Sequence, residues 1–124
     1  MKLGEIRTVA GGPYYTSKPR PVVIVQADWY TDMDSITVCP LTSDNANAPS
    51  VRIPVLPTEH NGLRSESWLM PDKVVTVPKA RLGPRIGQLD HATLAELSRG
   101  IISFLNLAES GPSQDPATTA TRSR

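Results

Sequence analysis

Prolines and glycines interrupt this sequence throughout, and they limit the length of any element that it can form. The chain has 12 prolines and 8 glycines in 124 residues. Each proline fixes φ and removes a backbone N–H donor, so it disfavours the interior of a helix or of a central strand. The spacing therefore predicts short strands joined by turns and argues against a helical bundle.

Length and composition are typical of one globular domain. The 124 residues are 39% hydrophobic and 20% charged, which suits a single modest core. No apolar run approaches the roughly 20 residues that cross a bilayer, and Glu5 stands where a signal peptide would be apolar. Cys39 is the single cysteine, which fits a reducing compartment. We therefore expect a cytoplasmic protein.

Seven segments have the composition or the alternation of β-strands. The segment at 21–26 is β-branched and apolar, which predicts a central strand. Pro40 lies in the next segment, and because proline donates no ladder hydrogen bond we expect that strand at an edge or a bulge. The predicted strands are residues 5–9, 21–26, 36–41, 51–55, 65–70, 73–77 and a short strand around 85–87.

One helix is predicted after the strands. Asp90 is a suitable N-cap residue, and Leu89 and Leu94 stand at the positions of a hydrophobic staple. Gly100 weakens a helix, so we expect it where the helix packs closely against a neighbour. The apolar stripe at helical spacing consists of Leu94, Leu97, Ile101, Phe104, Leu105 and Ala108.

Short strands in series followed by one helix predict a mainly β fold, a small antiparallel barrel with the helix packed against it. Residues 111–124 are rich in Gly, Pro, Ser, Thr and Ala and have no apolar periodicity. We therefore expect a domain at 1–110 followed by a disordered tail at 111–124.

Basic residues are concentrated in two places, although the net charge is only +1. If the fold brings the two clusters together, they form a positive groove on a nearly neutral body. The first cluster is Lys18 and Arg20, and the second, within an acid-free segment at 73–85, is Lys73, Lys79, Arg81 and Arg85.

Four segments of the chain form a pattern through their order and spacing. They are residues 4–9, 18–26, 38–43 and 69–83, with the sequences GEIRTV, KPRPVVIVQ, VCPLTS and LMPDKVVTVPKARLG. Together they resemble the MazF/PemK (Kid-like) toxin family. The resemblance covers roughly residues 2–108. It implies the Src-homology-three-like barrel of the Kid and CcdB toxins with a C-terminal helix. It also implies a homodimer with RNA in the groove between subunits, blocked when the C-terminal segment of a cognate antitoxin lies there.

The resemblance further implies a type II toxin that is a sequence-specific endoribonuclease, cutting single-stranded RNA without a metal or cofactor. In this family's reaction the RNA 2′-hydroxyl attacks the adjacent phosphorus and leaves a 2′,3′-cyclic phosphate and a 5′-hydroxyl. Such a reaction needs a proton acceptor, a proton donor and a clamp on the phosphoryl oxygens.

The family's catalytic arginine and threonine match Arg20 and Thr42 by position, and Ser43 could add a second hydrogen-bond donor. An arginine between two prolines has little backbone freedom, and its planar guanidinium fits phosphate bidentately. Because arginine stays charged in proteins, a clamp suits it better than proton transfer, which leaves the proton acceptor unassigned. The family's position also implies RNA contacts for Lys18, Lys73, Lys79, Arg81 and Arg85.

Simpler interpretations compete with each of these assignments. Arg20 could pair with a surface acid, and Thr42 with Ser43 could cap a loop. His60 could supply the missing base, but a histidine in a turn is more often only solvated. Cys39, inside a predicted strand, is far more typical of packing than of a nucleophile.

One pair of residues departs from the family's pattern. Many relatives have an acid–amide pair where this chain has Asp72 and Lys73. Lysine accepts no hydrogen bonds, so we expect base recognition to differ there.

Two other functions remain open at this point. A CcdB-like toxin would bind gyrase and cleave nothing, and an inert binding module could share the same barrel. Incubation with a long single-stranded RNA in EDTA separates them, because only the endoribonuclease cuts.

The predicted tail gives a first test. Residues 111–124 bury too little apolar surface to offset the entropy of ordering. Truncation after Ser110 should therefore leave dimerisation and RNA cleavage intact, as measured by sedimentation and a cleavage assay at two salt concentrations. A monomeric or inactive product at both salts would contradict the predicted domain boundary.

Overall fold

The computed structural model describes residues 1–10, 18–44 and 50–108. The predicted tail at 111–124 lies outside the described residues. Three short 3-10 helices accompany the strands and are Asp28–Tyr30, Pro71–Lys73 and Lys79–Arg81. The strands and the helix are β1 (Glu5–Val9), β2 (Arg20–Ile24), β3 (Ser35–Thr42), β4 (Ile53–Val55), β5 (Ser67–Leu69), β6 (Val75–Pro78), β7 (Leu82–Gln88) and α1 (His91–Leu105).

The strands form one antiparallel sheet that curls on itself. Its order is β4-β5-β3-β2-β1-β7, and β6 pairs with the first half of β3. β6 and β7 lie at opposite ends of the series β6-β3-β2-β1-β7, yet only Lys79–Arg81 joins them. A flat sheet would separate these outer strands by about 19 Å, whereas the connection reaches at most about 14 Å. The predicted barrel-like sheet with a C-terminal helix is confirmed, although the hydrogen-bonded path stays open at β4 and β7 in the described structure.

β2 is the central strand that its sequence predicts. It lies between β1 and β3, and its residues alternate between two buried clusters. Val22 and Ile24 pack in one cluster, with side chains of β6 and the start of β7. Val23 packs in the other, with side chains of α1. Both faces of β2 are therefore covered, which explains its uniformly apolar composition.

Pro40 does not mark an edge strand, and the prediction from it was wrong. β3 is paired on both sides: with β2 at 38–40, and on the other side with β6 at 35–38 and with β5 at 41–42. Pro40 falls between these two partners, and its carbonyl accepts from the N–H of Met70 on that side. The nitrogen of Pro40 faces the same side as its carbonyl, so its missing N–H removes no bond of the strand ladder.

The segment between β5 and β6 also differs from prediction. Residues 73–77 were expected to be a strand, but Pro71–Lys73 is a 3-10 helix and β6 begins only at Val75. Pro71 at the first position explains this, because its fixed φ suits a helical turn. We call Pro71–Lys73 the bridging 3-10 helix.

β7 is longer than the predicted short strand around 85–87. It spans seven residues, and its glycines interrupt the alternation of apolar and polar residues from which a strand is predicted. A Cβ on Gly87 would lie 2.2 Å from the carbonyl of Asn61, so only glycine allows this approach. The side chain of Asn61 is buried and accepts from the N–H groups of Thr58 and Leu63, which fixes the shape of the turn, and the N–H of Gln88 on β7 donates to the carbonyl of His60 in that turn.

α1 begins at the predicted cap. The Asp90 carboxylate accepts from the N–H of Thr93 (3.1 Å) and from its hydroxyl (2.7 Å), and these bonds lower the pKa of Asp90. Leu89 and Leu94 pack in the same core cluster, as the staple predicts. A Cβ on Gly100 would lie 3.3 Å from Cγ of Pro71, which confirms the close packing expected there.

α1 ends earlier than the apolar stripe predicted. Asn106 adopts a left-handed conformation, and the N–H of Leu107 donates to the carbonyl of Ile102 (2.9 Å), as in a Schellman motif. Ala108 is therefore not on the helix. Of the stripe, Leu97 is fully buried, but Phe104 and Leu105 are 50% and 51% exposed.

Leu97 is thus the residue that attaches α1 most firmly to the sheet. Leu97→Ala should lower the free energy of unfolding by about 2–5 kcal/mol, because it leaves a cavity in the core. Urea denaturation measures this change, with Ser98→Ala on the exposed side of α1 as the control. Equal stability of the two variants would contradict this packing.

Candidate active site

A groove of about 560 Å³ opens between the end of β3 and the segment that leads from β5 to β6. Its polar lining consists of Arg20, Thr42 and Lys73, which come from three separate parts of the sequence. The apolar lining is Pro40, Leu41, Met70, Val74 and Val75. The fold therefore brings together Arg20 and Thr42, two of the three predicted catalytic residues, and adds one of the predicted RNA-binding lysines.

Strand register explains why Arg20 and Thr42 meet. Val22 of β2 lies opposite Pro40 of β3 in an antiparallel pair. Two residues further along, the same register places Arg20 level with Thr42, and residues opposite each other in such a pair share a face. The sequence alone could not show this, because it does not give the register.

Arg20 forms no ion pair within the described part of the chain. It is exposed, and Pro19 and Pro21 restrict the backbone on either side. By contrast, Arg7 and Arg85 pair with Glu5. The simple interpretation of Arg20 as half of a surface ion pair therefore has no support in the described residues, and Arg20 instead lines the groove.

The hydroxyl of Thr42 has a local role as well. Its Oγ1 accepts from the N–H of Asp44 at 3.1 Å and lies 3.2 Å from the carbonyl oxygen of Asp44, to which it donates. Thr42 thus caps the loop, as the simpler interpretation expects. The donated bond is long for O–H···O, and a hydroxyl hydrogen rotates freely. A better acceptor in the groove can therefore compete for this proton, while the accepted bond still holds the oxygen in place.

Arg52 and Asp72 form an ion pair that sequence reasoning missed. Nε of Arg52 donates to Oδ1 of Asp72 at 3.3 Å and Nη2 donates to Oδ2 at 3.2 Å. The two side chains are only 12% and 13% exposed. In the sequence Arg52 is simply the polar member of an alternating strand pattern, and nothing there identifies a partner twenty residues away.

The environment of Asp72 keeps its carboxyl group charged. Burial is the largest single influence and would raise its pKa. The hydrogen bonds from Arg52 and from its own backbone amide, with the charges of Arg52 and Lys73, together outweigh burial and lower the pKa. With its pKa lowered and both oxygens occupied, Asp72 is a poor proton acceptor.

Comparison with known proteins decides the family. Residues 2–105 match the model of the PemK-like, MazF-like toxins of type II toxin–antitoxin systems. This chain belongs to that family. A protein of Mycolicibacterium smegmatis named probable endoribonuclease MazF is 42% identical over 108 residues, which are 87% of this chain and 99% of that protein.

Solved structures of toxins share the fold. A mycobacterial endoribonuclease in complex with its cognate antitoxin superposes with a TM-score of 0.72 at 17% identity, covering 87% of this chain and 97% of that one. The Mycobacterium tuberculosis toxin MazF-mt6 superposes with a TM-score of 0.69 at 26% identity, covering 84% and 98%.

The other predicted site residues of this MazF/PemK-like toxin lie outside the groove lining. Ser43 is exposed directly after Thr42, and Lys18 is exposed two residues before Arg20. The roles of Ser43 and Lys18 stay predictions, and so do the RNA contacts of Lys79, Arg81 and Arg85. Lys79 donates to the carbonyl of Thr31, Arg81 is exposed on the same 3-10 helix, and Arg85 lies 3.5 Å from Glu5.

Neither of the other groups considered from the sequence faces the groove. His60 is exposed in the turn before β5, and its backbone carbonyl accepts from the N–H of Gln88. Cys39 is fully buried, and burial is the main cause that raises the pKa of its thiol to about 12. Within the described residues, no group of three or more His, Cys, Asp or Glu side chains could hold a metal ion. No helix in the same part of the chain is long and apolar enough to span a membrane.

The buried thiol gives a direct test of the packing around β3. With a pKa of about 12, only about one thiol in ten thousand is ionised at pH 8, and thiolate is the reactive form. Cys39 should therefore resist a disulfide reagent at pH 8 in the folded toxin and react at once in guanidinium. Rapid reaction under native conditions would show that Cys39 is not buried.

Proposed function

We propose that this MazF/PemK-like toxin is an endoribonuclease that cuts single-stranded RNA and leaves a 2′,3′-cyclic phosphate and a 5′-hydroxyl. The observation that carries the proposal is the convergence of Arg20, Thr42 and Lys73 on one groove. The relative from Mycolicibacterium smegmatis that is named a probable endoribonuclease supports it. Sequence-specific cutting is part of the proposal, and the cognate sequence follows from mapping the cut ends.

In the proposed reaction the 2′-hydroxyl loses its proton as its oxygen bonds to the adjacent phosphorus. The bond from phosphorus to the 5′-oxygen breaks, and that oxygen takes up a proton. Negative charge builds up on the non-bridging oxygens in between. The Arg20 guanidinium binds two of these oxygens as a fork, and the Thr42 hydroxyl donates to one of them, which stabilises the transition state more than the bound RNA.

No metal ion takes part in this proposal. The nucleophile is the 2′-hydroxyl of the RNA itself, so the reaction needs no metal-bound water to attack the phosphorus. Arg20 and Lys73 supply the positive charge that a metal ion would otherwise provide near the phosphate. The scheme assigns to Arg20 and Thr42 charge stabilisation and hydrogen-bond donation, and it assigns neither of them the role of proton acceptor.

We further propose that the toxin acts as a cytoplasmic homodimer. The C-terminal half of α1 and the turn that ends it leave four apolar side chains between 42% and 66% exposed, and such a patch is typical of an interface between subunits. They are Ile102, Phe104, Leu105 and Leu107.

The proposal includes control by an antitoxin. One solved relative with the same fold was determined in complex with its cognate antitoxin. The groove of this chain combines cations with an apolar floor, so an extended antitoxin segment with acidic and apolar side chains fits it by charge and by hydrophobic contact. Such a segment would occupy the place of RNA.

Arg20→Ala tests the proposal. The variant should cleave a long single-stranded RNA about 10²–10³-fold more slowly in EDTA, because one transition-state donor is lost. Its stability should stay close to that of the wild type, since Arg20 is exposed.

Arg64→Ala is the matched control, because Arg64 is also exposed but does not line the groove. It should cleave like the wild type. Full activity of Arg20→Ala would overturn the assigned role. A wild-type protein that leaves RNA intact in EDTA would favour a toxin that binds a protein target instead.

A further inference from the structure

The bridging 3-10 helix is held in place on two sides, although it has only three residues. On the side of the sheet, the N–H of Met70 donates to the carbonyl of Pro40 at 3.0 Å. On the side of α1, the buried ring of Pro71 lies against Gly100. A Cβ at Gly100 would lie only 3.3 Å from Cγ of Pro71, so the two segments are closely packed there. The backbone is therefore fixed at the start of this helix.

The ion pair fixes the same helix at its middle residue. Asp72 is bound through both oxygens by Arg52, which directly precedes β4. A bidentate arginine–carboxylate pair constrains direction as well as distance. Because the two side chains are mostly buried, water competes weakly for these bonds. The pair thus ties the helix to the strand β4.

Lys73, the next residue, is the part of the bridging 3-10 helix that faces the groove. Its side chain is exposed, lines the groove with Arg20, and forms no ion pair within the described residues. An ammonium group offers three donors and no acceptor, so among RNA groups it suits the phosphate oxygens best.

Resting on the proposed function, we propose that the Arg52–Asp72 ion pair is a positioning device. It holds Lys73 in the groove as a second phosphate-binding cation, on a phosphate next to the one that Arg20 clamps. Arg52 and Asp72 are then positioning residues that act through Lys73, and neither contacts the RNA.

The change in RNA affinity caused by Asp72→Asn distinguishes the proposal from a purely electrostatic effect. Asp72→Asn removes a negative charge beside an RNA groove, and on charge alone it would tighten RNA binding. If the pair positions Lys73, the same substitution releases Arg52 and the bridging 3-10 helix, and RNA binding becomes weaker. The two explanations therefore predict opposite changes in the dissociation constant.

The test measures binding of a 2′-O-methylated single-stranded RNA to the full chain at several salt concentrations. This RNA lacks the nucleophile, so binding is observed without cleavage. Lys73→Met should raise the dissociation constant about three- to tenfold and reduce the slope of log K against log salt by about 0.7, the value for one lost phosphate contact on a single strand. Asp72→Asn should have the same two effects.

A double variant tests whether Asp72 acts through Lys73. Asp72→Asn should change binding little when Lys73 is already methionine, whereas a general loss of structure would weaken that variant further. Arg52→Lys keeps the charge and loses the planar fork, so it should fold and show an intermediate loss of binding. Glu59→Gln is the control, because it removes one carboxylate charge from an exposed side chain that does not line the groove and should leave the slope unchanged.

Two results would overturn the proposal. The first is Asp72→Asn binding as tightly as the wild type or more tightly, and the second is an unchanged salt slope in Lys73→Met. A wild type that binds this RNA with the expected slopes but leaves unmodified RNA uncut would instead refute the proposed catalysis and retain the positioning role.

Discussion

The groove exists because β3 changes its partner along one side. β6 pairs with Ser35–Val38 and β5 with Leu41–Thr42, which leaves a gap at Cys39–Pro40. The chain between β5 and β6 has to pass around this gap, and it does so through the bridging 3-10 helix. The groove lies beside this segment, with Pro40 and Leu41 on one wall and Met70, Lys73, Val74 and Val75 on the other. Proline suits the gap because the position requires no N–H donor.

Much of the fold could be predicted from local patterns. The bounds of β1, the central place of β2 and the cap of α1 all follow from hydrophobic periodicity and capping chemistry, which act over a few residues. β7 was predicted too short because its glycines serve close approaches to distant parts of the chain, Gly87 to Asn61 and Gly83 to Thr8. The prediction of an edge or a bulge from Pro40 failed for a related reason. A proline is tolerated inside β3 because β6 and β5 pair with the residues before and after it, and the sequence does not show where those strands begin and end.

The candidate site was predictable only in part. Arg20 and Thr42 were identified through a family resemblance, and their convergence depends on the register of β2 and β3, which the sequence does not show. The basic segment at 73–85 looked continuous, but the fold divides it. Lys73 lines the groove, while Lys79 donates to a backbone carbonyl and Arg85 pairs with Glu5. A run of like charges in a sequence does not by itself give one charged surface.

The pairing of Asp72 determines what the second wall of the groove can recognise. Where relatives often have an acid followed by an amide, this chain has an acid whose two oxygens are occupied by Arg52, followed by a lysine. Asp72 does not line the groove, and Lys73 offers no hydrogen-bond acceptor. On the opposite wall Arg20 also only donates, and one of the two lone pairs of the Thr42 oxygen already accepts from the N–H of Asp44. For the proposed RNA substrate, the polar lining of this groove is therefore richer in donors than in acceptors, which favours the phosphate oxygens and the carbonyl and ring-nitrogen edges of the bases over their exocyclic amino groups.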